Sequence, residues 1–323
     1  MNRCDALAGA CSVHPRVGRG RVTAYPILMP VVIASLFAPG CSQARFATPD
    51  QAVQAFVSAV RSQNLAEVRR ILGRGSEELI SSGDEVADQR TRETFLAAYD
   101  EKYALVREPD ASVTLEVGPD DWPMPIPIVE HRGSWRFDTL RGKEEVLNRR
   151  VGRNELTVVQ VCLALVDAQR EYMETDHDGD GTRAYAQKFI SDSGEQNGLY
   201  WETGADEPPS PLGPLVADAV AEGYGTERAE DRNPRPFHGY YFKLLKSQGP
   251  SAPGGARDYL VNGRMTEGFA VVAWPAEYGN SGVTTFLVSH QGVVYERDLG
   301  PHTERIANGM SVFDPDSQWR LVP

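Results

Sequence analysis

The spacing of apolar residues predicts a helix soon after residue 41. In the stretch "TPDQAVQAFVSAVRSQ", Ala52, Phe56 and Val60 recur at the spacing of one helix face. Thr48 stands directly before Pro49, an order that is typical of an N-cap followed by the first helical residue. The fold is therefore expected to open with an amphipathic helix whose apolar face packs inward.

Two more helices are predicted before the first extended segment. Asn64 and Glu67 have the spacing of a capping pair, and Gly73 ends the short helix that they begin. A third helix is predicted over residues 88–105, "DQRTRETFLAAYDEKYAL". Its inward-facing residues are expected to be Phe95, Leu96, Tyr99 and Tyr103.

Alternating and apolar segments then predict an antiparallel meander. The strands are expected in "ASVTLEVG", "PIPIVEH" and "SWRFDTL", with a turn at Arg132 and Gly133 between the last two. Helices followed by a meander indicate an α+β fold. The order is similar to the cone-shaped domains of the nuclear-transport-factor-2 type, a likeness that implies no activity. We assign this N-terminal domain to residues 46–150.

A second domain, residues 154–323, is predicted to consist of one long helix and a four-stranded antiparallel sheet. The helix is expected from Asn154 to Glu174, where apolar residues recur at helical spacing. Shorter helices are predicted at residues 185–190 and 214–222. The predicted strands are "GYYFKLLKSQG", "GFAVVAWPAEY", "GVTTFLVSH" and "GVVYERDLG".

Charge and composition limit the partners. The chain has 323 residues, 41% of them hydrophobic, so it can build the cores of two domains. Its net charge is −12, and without residues 1–40 it is −15, because four basic residues and one acidic residue lie in that segment. A protein that binds nucleic acid needs a basic face. We therefore expect no nucleic-acid partner.

Residues 1–41 are typical of an export signal. Basic residues at Arg16, Arg19 and Arg21 precede an apolar run that ends in "FAPGC". The ending resembles a bacterial lipobox, although Ala38 and Pro39 depart from the usual pattern. An ordinary cleaved signal and a proline-broken anchor are the alternatives. The resemblance implies lipidation of Cys41, export to the periplasm and anchoring in the outer membrane, because Ser42 is not the aspartate of an inner-membrane signal.

Several stretches of the remaining chain resemble the bacterial family called domain of unknown function 2950. They include "FATPDQAVQAFVSAVR", "GPDDWPMPIPIV", "GYYFKLL" and "GFAVVAWPAEYGNSGVTTFLV". The resemblance covers nearly all of the chain after the signal and implies a secreted protein without an established activity. The second half also resembles the soluble domains of type II secretion pseudopilins, in which calcium can brace a loop near the sheet. A whole domain precedes the long helix here, unlike in a pilin.

The stretch "TDHDGDGTRAYAQ" contains a candidate calcium loop. Asp176, Asp178, Asp180 and Thr182 occupy positions 1, 3, 5 and 7 of an EF-hand loop, and the required glycine is present at position 6. Gln187 stands at position 12, where a bidentate glutamate is usual. The site would therefore be weak and structural. The alternative is an acidic turn that ends one helix and begins the next segment.

Other candidate residues predict no catalytic site. His131, His238, His290 and His302 do not pair at metal-ligand spacing, and Cys162 lies in an apolar helical run that is typical of inert core packing. The sequence contains no "HExxH", "GxSxG" or "SxxK" motif. We therefore assign no catalytic residue.

Two functions follow as hypotheses. The first is a non-enzymatic envelope lipoprotein, held to the membrane through Cys41, that binds or assembles with an envelope protein partner. The second is a small-ligand-binding protein or an enzyme that uses a pocket in the N-terminal cone-like domain. A titratable cluster inside that pocket would favour the second hypothesis, and a filled apolar interior would exclude it.

Overall fold

The computed structural model describes residues 43–204, 206–224 and 235–322, which all belong to one compact unit. The predicted signal segment and Cys41 lie outside the described residues. Within the described ranges, no helix combines the length and the apolar character that crossing a bilayer requires.

The N-terminal part, residues 43–138, begins with helices. Their bounds are α1 Pro49–Arg61, α2 Leu65–Leu72, α3 Glu77–Ile80 and α4 Glu85–Glu101. The predicted caps are confirmed: the Thr48 side chain accepts a hydrogen bond from the Gln51 amide (3.2 Å), and Asn64 accepts one from the Glu67 amide (3.1 Å). These bonds satisfy amides that the first helical turn leaves without a partner.

An antiparallel sheet follows these helices. Its strands are β1 Tyr103–Arg107, β2 Val113–Val117, β3 Trp122–Pro123, β4 Ile128–His131 and β5 Ser134–Phe137. They pair in the order β1-β2-β4-β5. The short β3 pairs with the C-terminal end of β2, and β4 pairs with its N-terminal end. Arg132 and Gly133 both have positive φ angles (53° and 73°), as the tight turn between β4 and β5 requires. The predicted meander is thus confirmed and extended by β1 and β3.

The start of the sheet corrects one sequence-based prediction. Residues 103–105 were expected to continue the third helix, but the helix ends at Glu101 and Tyr103 pairs with Val117 in β1. Tyr103 is 43% exposed rather than inward-facing. The pairing of residues 103–105 with β2 therefore determines their extended conformation, and the local spacing of apolar residues does not indicate this pairing.

A single long helix, α5, Thr139–Met173, connects the two parts of the molecule. The predicted helix from Asn154 to Glu174 forms its second half. That half carries the buried residues Val158, Cys162 and Leu165, which pack against the C-terminal sheet. The first half, residues 139–153, was not predicted, and it borders the N-terminal part instead.

The C-terminal part, residues 174–322, is built around a second antiparallel sheet. Its elements are α6 Gly213–Ala221, β6 Tyr240–Leu245, β7 Ser247–Gln248, β8 Arg257–Asp258, β9 Leu260–Val261, β10 Arg264–Met265, β11 Ala270–Pro275, β12 Thr284–Ser289, β13 Val294–Asp298, α7 Thr303–Gly309 and β14 Arg320–Leu321. The main sheet has the order β14-β13-β12-β11-β6. The four predicted strands are confirmed as β6, β11, β12 and β13, and the short β14 joins at the edge.

Two differences concern the connection that leads into this sheet. The helix predicted at 214–222 is confirmed as α6, but residues 185–190 form no helix and instead make β-bridges, Tyr185 with Met265 and Ile190 with Tyr200. Tyr185 packs edge-to-face on Phe269, with 4.9 Å between the ring centroids. The apolar side chains of this segment therefore pack against the core of the C-terminal sheet. An extended segment can place them there as well as a helix can.

Each part has its own buried core. The N-terminal core joins α1 to the first sheet through residues such as Phe56, Leu115 and Phe137, and the C-terminal core joins α5 to β11 and β12. Helix α5 runs through the predicted boundary at residues 150–154. The observed architecture is α+β, as predicted; the division into two domains stays a prediction.

Candidate ligand cavity

A cavity of about 800 Å³ lies between the helices of the N-terminal part and α5, and residues of the C-terminal part complete its wall. Such a volume falls within the range of about 300–1,000 Å³ that is usual for small-molecule sites. Its floor is apolar and comes from α1, α2, α4 and β2. The floor includes Phe56, Val60, Val68, Phe95, Ala98 and Val117.

Helix α4 explains why this space is not filled. The buried side chains along its length are Asp88 and Tyr99, which is few for a helix of 17 residues. Phe95 and Ala98 face inward, but they are only partly buried because they line the cavity instead of a packed core. Phe56 meets Phe95 edge-to-face at 5.7 Å between ring centroids, which holds α1 and α4 together at one edge of the opening.

One wall of the cavity carries charged side chains. Among the described residues that line it are four arginines, three carboxylates and one histidine: Arg90, Arg92, Arg150, Arg153, Asp88, Asp120, Glu222 and His238. With the histidine neutral, the lining has a formal charge of +1, whereas the whole chain has −12. The cavity therefore differs in sign from the rest of the molecule.

Asp88 is the buried acid of this wall. Its Oδ2 accepts a hydrogen bond from the Ser82 backbone amide (2.9 Å). Burial raises the pKa of Asp88 above its usual value, while the bonds from Ser82 and the positive charges of Arg150 and Arg92 act in the opposite direction. The carboxyl group is thus partly desolvated, and the Ser82 amide is its hydrogen-bond donor.

Arg150, on α5, crosses from the cavity to the second sheet. Its guanidinium donates to the carbonyl oxygens of Glu78 (2.6 Å) and Leu79 (2.9 Å) and to Asn280 Oδ1. Burial lowers the pKa of Arg150 and Asp88 raises it, although an arginine stays protonated in a protein. These partners are neutral oxygens, so they fix the side chain without cancelling its charge.

Asp84 connects the N-terminal end of α4 to residues of the C-terminal part that border the cavity. Its Oδ1 accepts from the Ala87 amide (3.0 Å), which caps α4. Its Oδ2 accepts from the Tyr224 hydroxyl and from the Gly239 amide, both at 2.8 Å. Burial, the charge of Asp84 and its hydrogen bond raise the pKa of Tyr224, so the hydroxyl remains a donor. Tyr224 and its neighbour His238 therefore complete the cavity wall from a distant part of the chain.

His238 and Arg90 share one acid. Glu222 Oε2 lies 2.7 Å from Arg90 Nη1 and 3.3 Å from His238 Nε2. Burial lowers the pKa of His238, whereas Glu222 and Asp84 raise it and Arg90 and Arg153 lower it further. The lowered pKa favours neutral His238 at pH 7, so Arg90 is the main counter-charge of Glu222.

The predicted calcium ligands are only partly brought together. Oxygen atoms of Asp176, Asp178 and Asp180 lie within 4.8 Å of one another. Asp176 accepts from the amides of Gly179 (2.9 Å) and Gly181 (2.7 Å), as an acidic turn does. The Arg264 guanidinium pairs with Asp178 at 2.8 Å and also contacts Asp180.

The other two predicted ligands have different surroundings. The Thr182 backbone amide donates to Asp180 Oδ1 (2.9 Å), and the Gln187 side-chain Nε2 donates to the Gly263 carbonyl (2.8 Å). Gln187 Oε1 accepts from Lys246 Nζ (3.1 Å), which gives that oxygen a partner outside the loop. A cation would have to displace Arg264 from two carboxylates. The calcium site stays a prediction.

Calcium binding is expected to raise the melting temperature at millimolar calcium and to do so only while Asp178 is present. Weak extracellular-type sites have dissociation constants of about 0.1–1 mM, so about 10 mM calcium would add about 1.4–2.7 kcal/mol. Thermal unfolding of the wild type and Asp178→Ala, with and without calcium, measures this. A wild-type melting temperature that calcium leaves unchanged would establish the acidic turn instead.

The cysteine prediction agrees with its surroundings. Cys162 is a free, buried cysteine on α5, and burial raises its pKa to about 12. A protonated thiol is a poor nucleophile. Ser281 is buried in the turn before β12, where its hydroxyl accepts from the Glu277 amide (2.9 Å). Both side chains stabilise the fold.

Comparison with known proteins places the chain in a family. A family model described as a protein of unknown function (DUF2950) matches residues 43–322. The chain belongs to this family. No curated protein and no solved structure gives a significant match. The DUF2950 region contains both sheets, so the whole cavity lies inside the family domain.

Sequence reasoning missed most of the cavity wall of this DUF2950 protein. The N-cap position of Asp84, after Gly83 and before the helical pattern, is a local signal that could have identified one role of that residue. Its second role depends on Tyr224, which lies 140 positions away. Arg150 and Arg153 lie in a segment whose polar inner face hides its helical periodicity.

Proposed function

We propose that the protein is a small-ligand-binding protein of the cell envelope that holds its ligand in the cavity between the N-terminal helices and α5. The observation that carries this proposal is an opening of about 800 Å³ with an apolar floor and a charged wall. Ligand sites typically combine apolar surface with a few placed polar groups. A packed interior would have removed the basis for this function.

Filling part of the cavity should weaken ligand binding. Thr94 lines the opening from α4, is exposed and makes no hydrogen bond with the side chains of the described residues. We expect Thr94→Trp to weaken binding of the neutral dye N-phenyl-1-naphthylamine by about tenfold or more, since about 1.4 kcal/mol of lost contact corresponds to a factor of ten. Fluorescence titration measures the dissociation constant.

Ala97→Trp provides the matched control, because Ala97 is exposed on the same helix but does not line the cavity. It should bind the dye like the wild type, and both variants should keep the wild-type melting temperature within a few degrees. Equal dye affinity in all three proteins would mean that the dye binds elsewhere, and no binding in the wild type would refute a ligand cavity.

We further propose that the protein is lipid-anchored through Cys41, exported to the periplasm and held at the outer membrane. The basic-apolar-small order of residues 1–41 supports this location. Two acyl chains would anchor the protein stably, whereas one chain alone binds a membrane only marginally.

Labelling with palmitate in a bacterial host tests the anchor. The wild type should incorporate the label into the membrane fraction, and Cys41→Ser should lose it because no thiol remains at the junction. Cys162→Ser is the control, since that thiol is buried in the folded protein and should not affect labelling. Equal labelling of wild type and Cys41→Ser would rule out lipidation at this position.

A further inference from the structure

The arginines of the cavity wall lie on α4 and α5, where these helices border the cavity. Arg92 and Arg150 are half-buried, and Arg90 and Arg153 are exposed. On α4, Asp88, Arg92 and Phe95 follow one another at helical spacing, and all line the cavity. On α5, Val146, Arg150 and Arg153 do the same. Arg92, Arg150 and Arg153 are thus part of the lining, beside apolar residues of the same helices.

Two of these arginines have no carboxylate partner within the part of the chain that the structure describes. The side chains of Arg92 and Arg153 form no ion pair or hydrogen bond there, whereas surface arginines such as Arg61, Arg70 and Arg149 each pair with an acid. Arg150 bonds to neutral oxygens alone. Positive charge therefore accumulates at one side of an apolar space.

The acids of the wall do not balance this charge. Glu222 pairs with Arg90, and the buried Asp88 accepts from the Ser82 amide and forms no ion pair with a described arginine. Asp120 is exposed in the turn after β2, where the Gly118 amide bonds to the Ala98 carbonyl (3.1 Å). Ala98 lies six residues beyond Arg92, or about 9 Å along the helix axis. Asp120 therefore lies towards the other end of the cavity.

Arg150 and Arg153 also affect each other unfavourably. The charge of Arg153 contributes to lowering the pKa of Arg150, which is already lowered by burial. A bound anion would remove this repulsion and would form charge-assisted hydrogen bonds, for which the planar guanidinium is well suited. The apolar floor, by contrast, offers surface for a hydrocarbon group.

We infer that the ligand is a single-chain amphiphile with an anionic head group of the carboxylate type, whose chain lies on the apolar floor and whose head group is bound by Arg92 and Arg153. This inference rests on the proposed ligand-binding function and adds the chemical class of the ligand. A purely apolar cavity would offer no partner for the head group, and a purely charged one would offer no surface for the chain.

Displacement of N-phenyl-1-naphthylamine at pH 7.5 by three probes with the same chain length tests the class. Dodecanoate should bind about tenfold more tightly than dodecanol, and dodecyltrimethylammonium should be the weakest, because two charge-assisted bonds favour the carboxylate alone. The double variant Arg92→Gln/Arg153→Gln should lose the preference for dodecanoate over dodecanol while still binding dodecanol. The control is Arg69→Gln/Arg74→Gln, which removes the same charge from exposed positions outside the cavity.

The outcomes separate the two claims. If dodecanol displaces the dye as well as dodecanoate does in the wild type, the anionic class is wrong and the ligand cavity stands. A preference for dodecanoate that survives in Arg92→Gln/Arg153→Gln, or that disappears equally in Arg69→Gln/Arg74→Gln, would overturn the assignment to this wall. Absence of dye binding in the folded wild type would overturn the proposed function together with the inference.

Discussion

Replacing Gly142 with alanine should destabilise the protein by about 3 kcal/mol, whereas the same change at Gly152 should stabilise it by about 0.5–1 kcal/mol. Both glycines lie in α5. Alanine is the better helix former, so helix propensity alone predicts stabilisation at both positions. The surroundings of Gly142 reverse the sign of the expected stability change at that position.

Gly142 is buried where the first turn of α5 meets the segment before β4. A Cβ atom there would overlap the Pro125 carbonyl oxygen and would lie 2.7 Å from Ile126 Cα. These are backbone atoms, which cannot move aside as a flexible side chain can. Pro125 and Ile126 also line the cavity, so the clash would displace part of its wall.

Gly152 provides the control within the same helix, because a Cβ atom there would meet nothing within 4 Å. The free energies of unfolding in urea measure both effects. Equal stabilisation by the two substitutions would show that α5 can move away from the Pro125 segment at no cost. Destabilisation by both would contradict the assignment of Gly152 to an unobstructed helical position.

Local signals in the sequence predicted much of the fold, and non-local pairing accounts for the errors. The cap at Thr48 and the turn at Arg132 and Gly133 depend on neighbouring residues, and both are confirmed. The conformation of Tyr103 depends on Val117 across the sheet, and the segment at Tyr185 depends on Met265. Helical periodicity is ambiguous for short apolar runs such as these.

The first half of α5 was missed for a physical reason that also concerns the site. A helix is recognised by an apolar face, but the side of residues 146–157 that borders the cavity carries the half-buried Arg150 and the exposed Arg153. The cavity itself is formed by residues from Phe56 to His238. No local pattern reports a space between such distant positions.

The acidic loop is the opposite case. Three aspartates and their glycines were recognisable from a short stretch, and the structure brings their oxygen atoms close together. Their partner Arg264 is 86 residues from Asp178, and nothing in the local pattern indicates it. The acidic residues are thus recognisable from the local sequence, whereas the arginine that pairs with two of them is identified only by the tertiary structure.

Replacing Asp84 with alanine should destabilise the protein by about 3–5 kcal/mol, the largest effect that we expect from a single substitution. The change removes the cap of α4, which is typically worth about 1 kcal/mol. It also leaves the Tyr224 hydroxyl and the Gly239 amide without their acceptor in a buried position. Each buried group that loses its partner costs about 1–3 kcal/mol.

Asparagine at position 84 should cost less than alanine, because its one oxygen can still cap α4 through the Ala87 amide. Its amide nitrogen cannot accept from Gly239, so part of the loss remains. Asp167→Ala is the control: Asp167 is 79% exposed and pairs with Arg170 within one helix, a contact worth about 0.2–0.5 kcal/mol at most. Urea unfolding of the three variants gives the ranking.

The same substitution also tests how the cavity is closed. Asp84 binds the residues that bring Tyr224 and His238 to the opening, so Asp84→Ala should weaken dye binding even at temperatures where the variant is fully folded. Tyr224→Phe, which removes one hydroxyl and keeps the ring, should lower stability by about 1–2 kcal/mol. A stability of Asp84→Ala equal to that of Asp167→Ala would mean that these buried hydrogen bonds do not hold the two parts of the protein together.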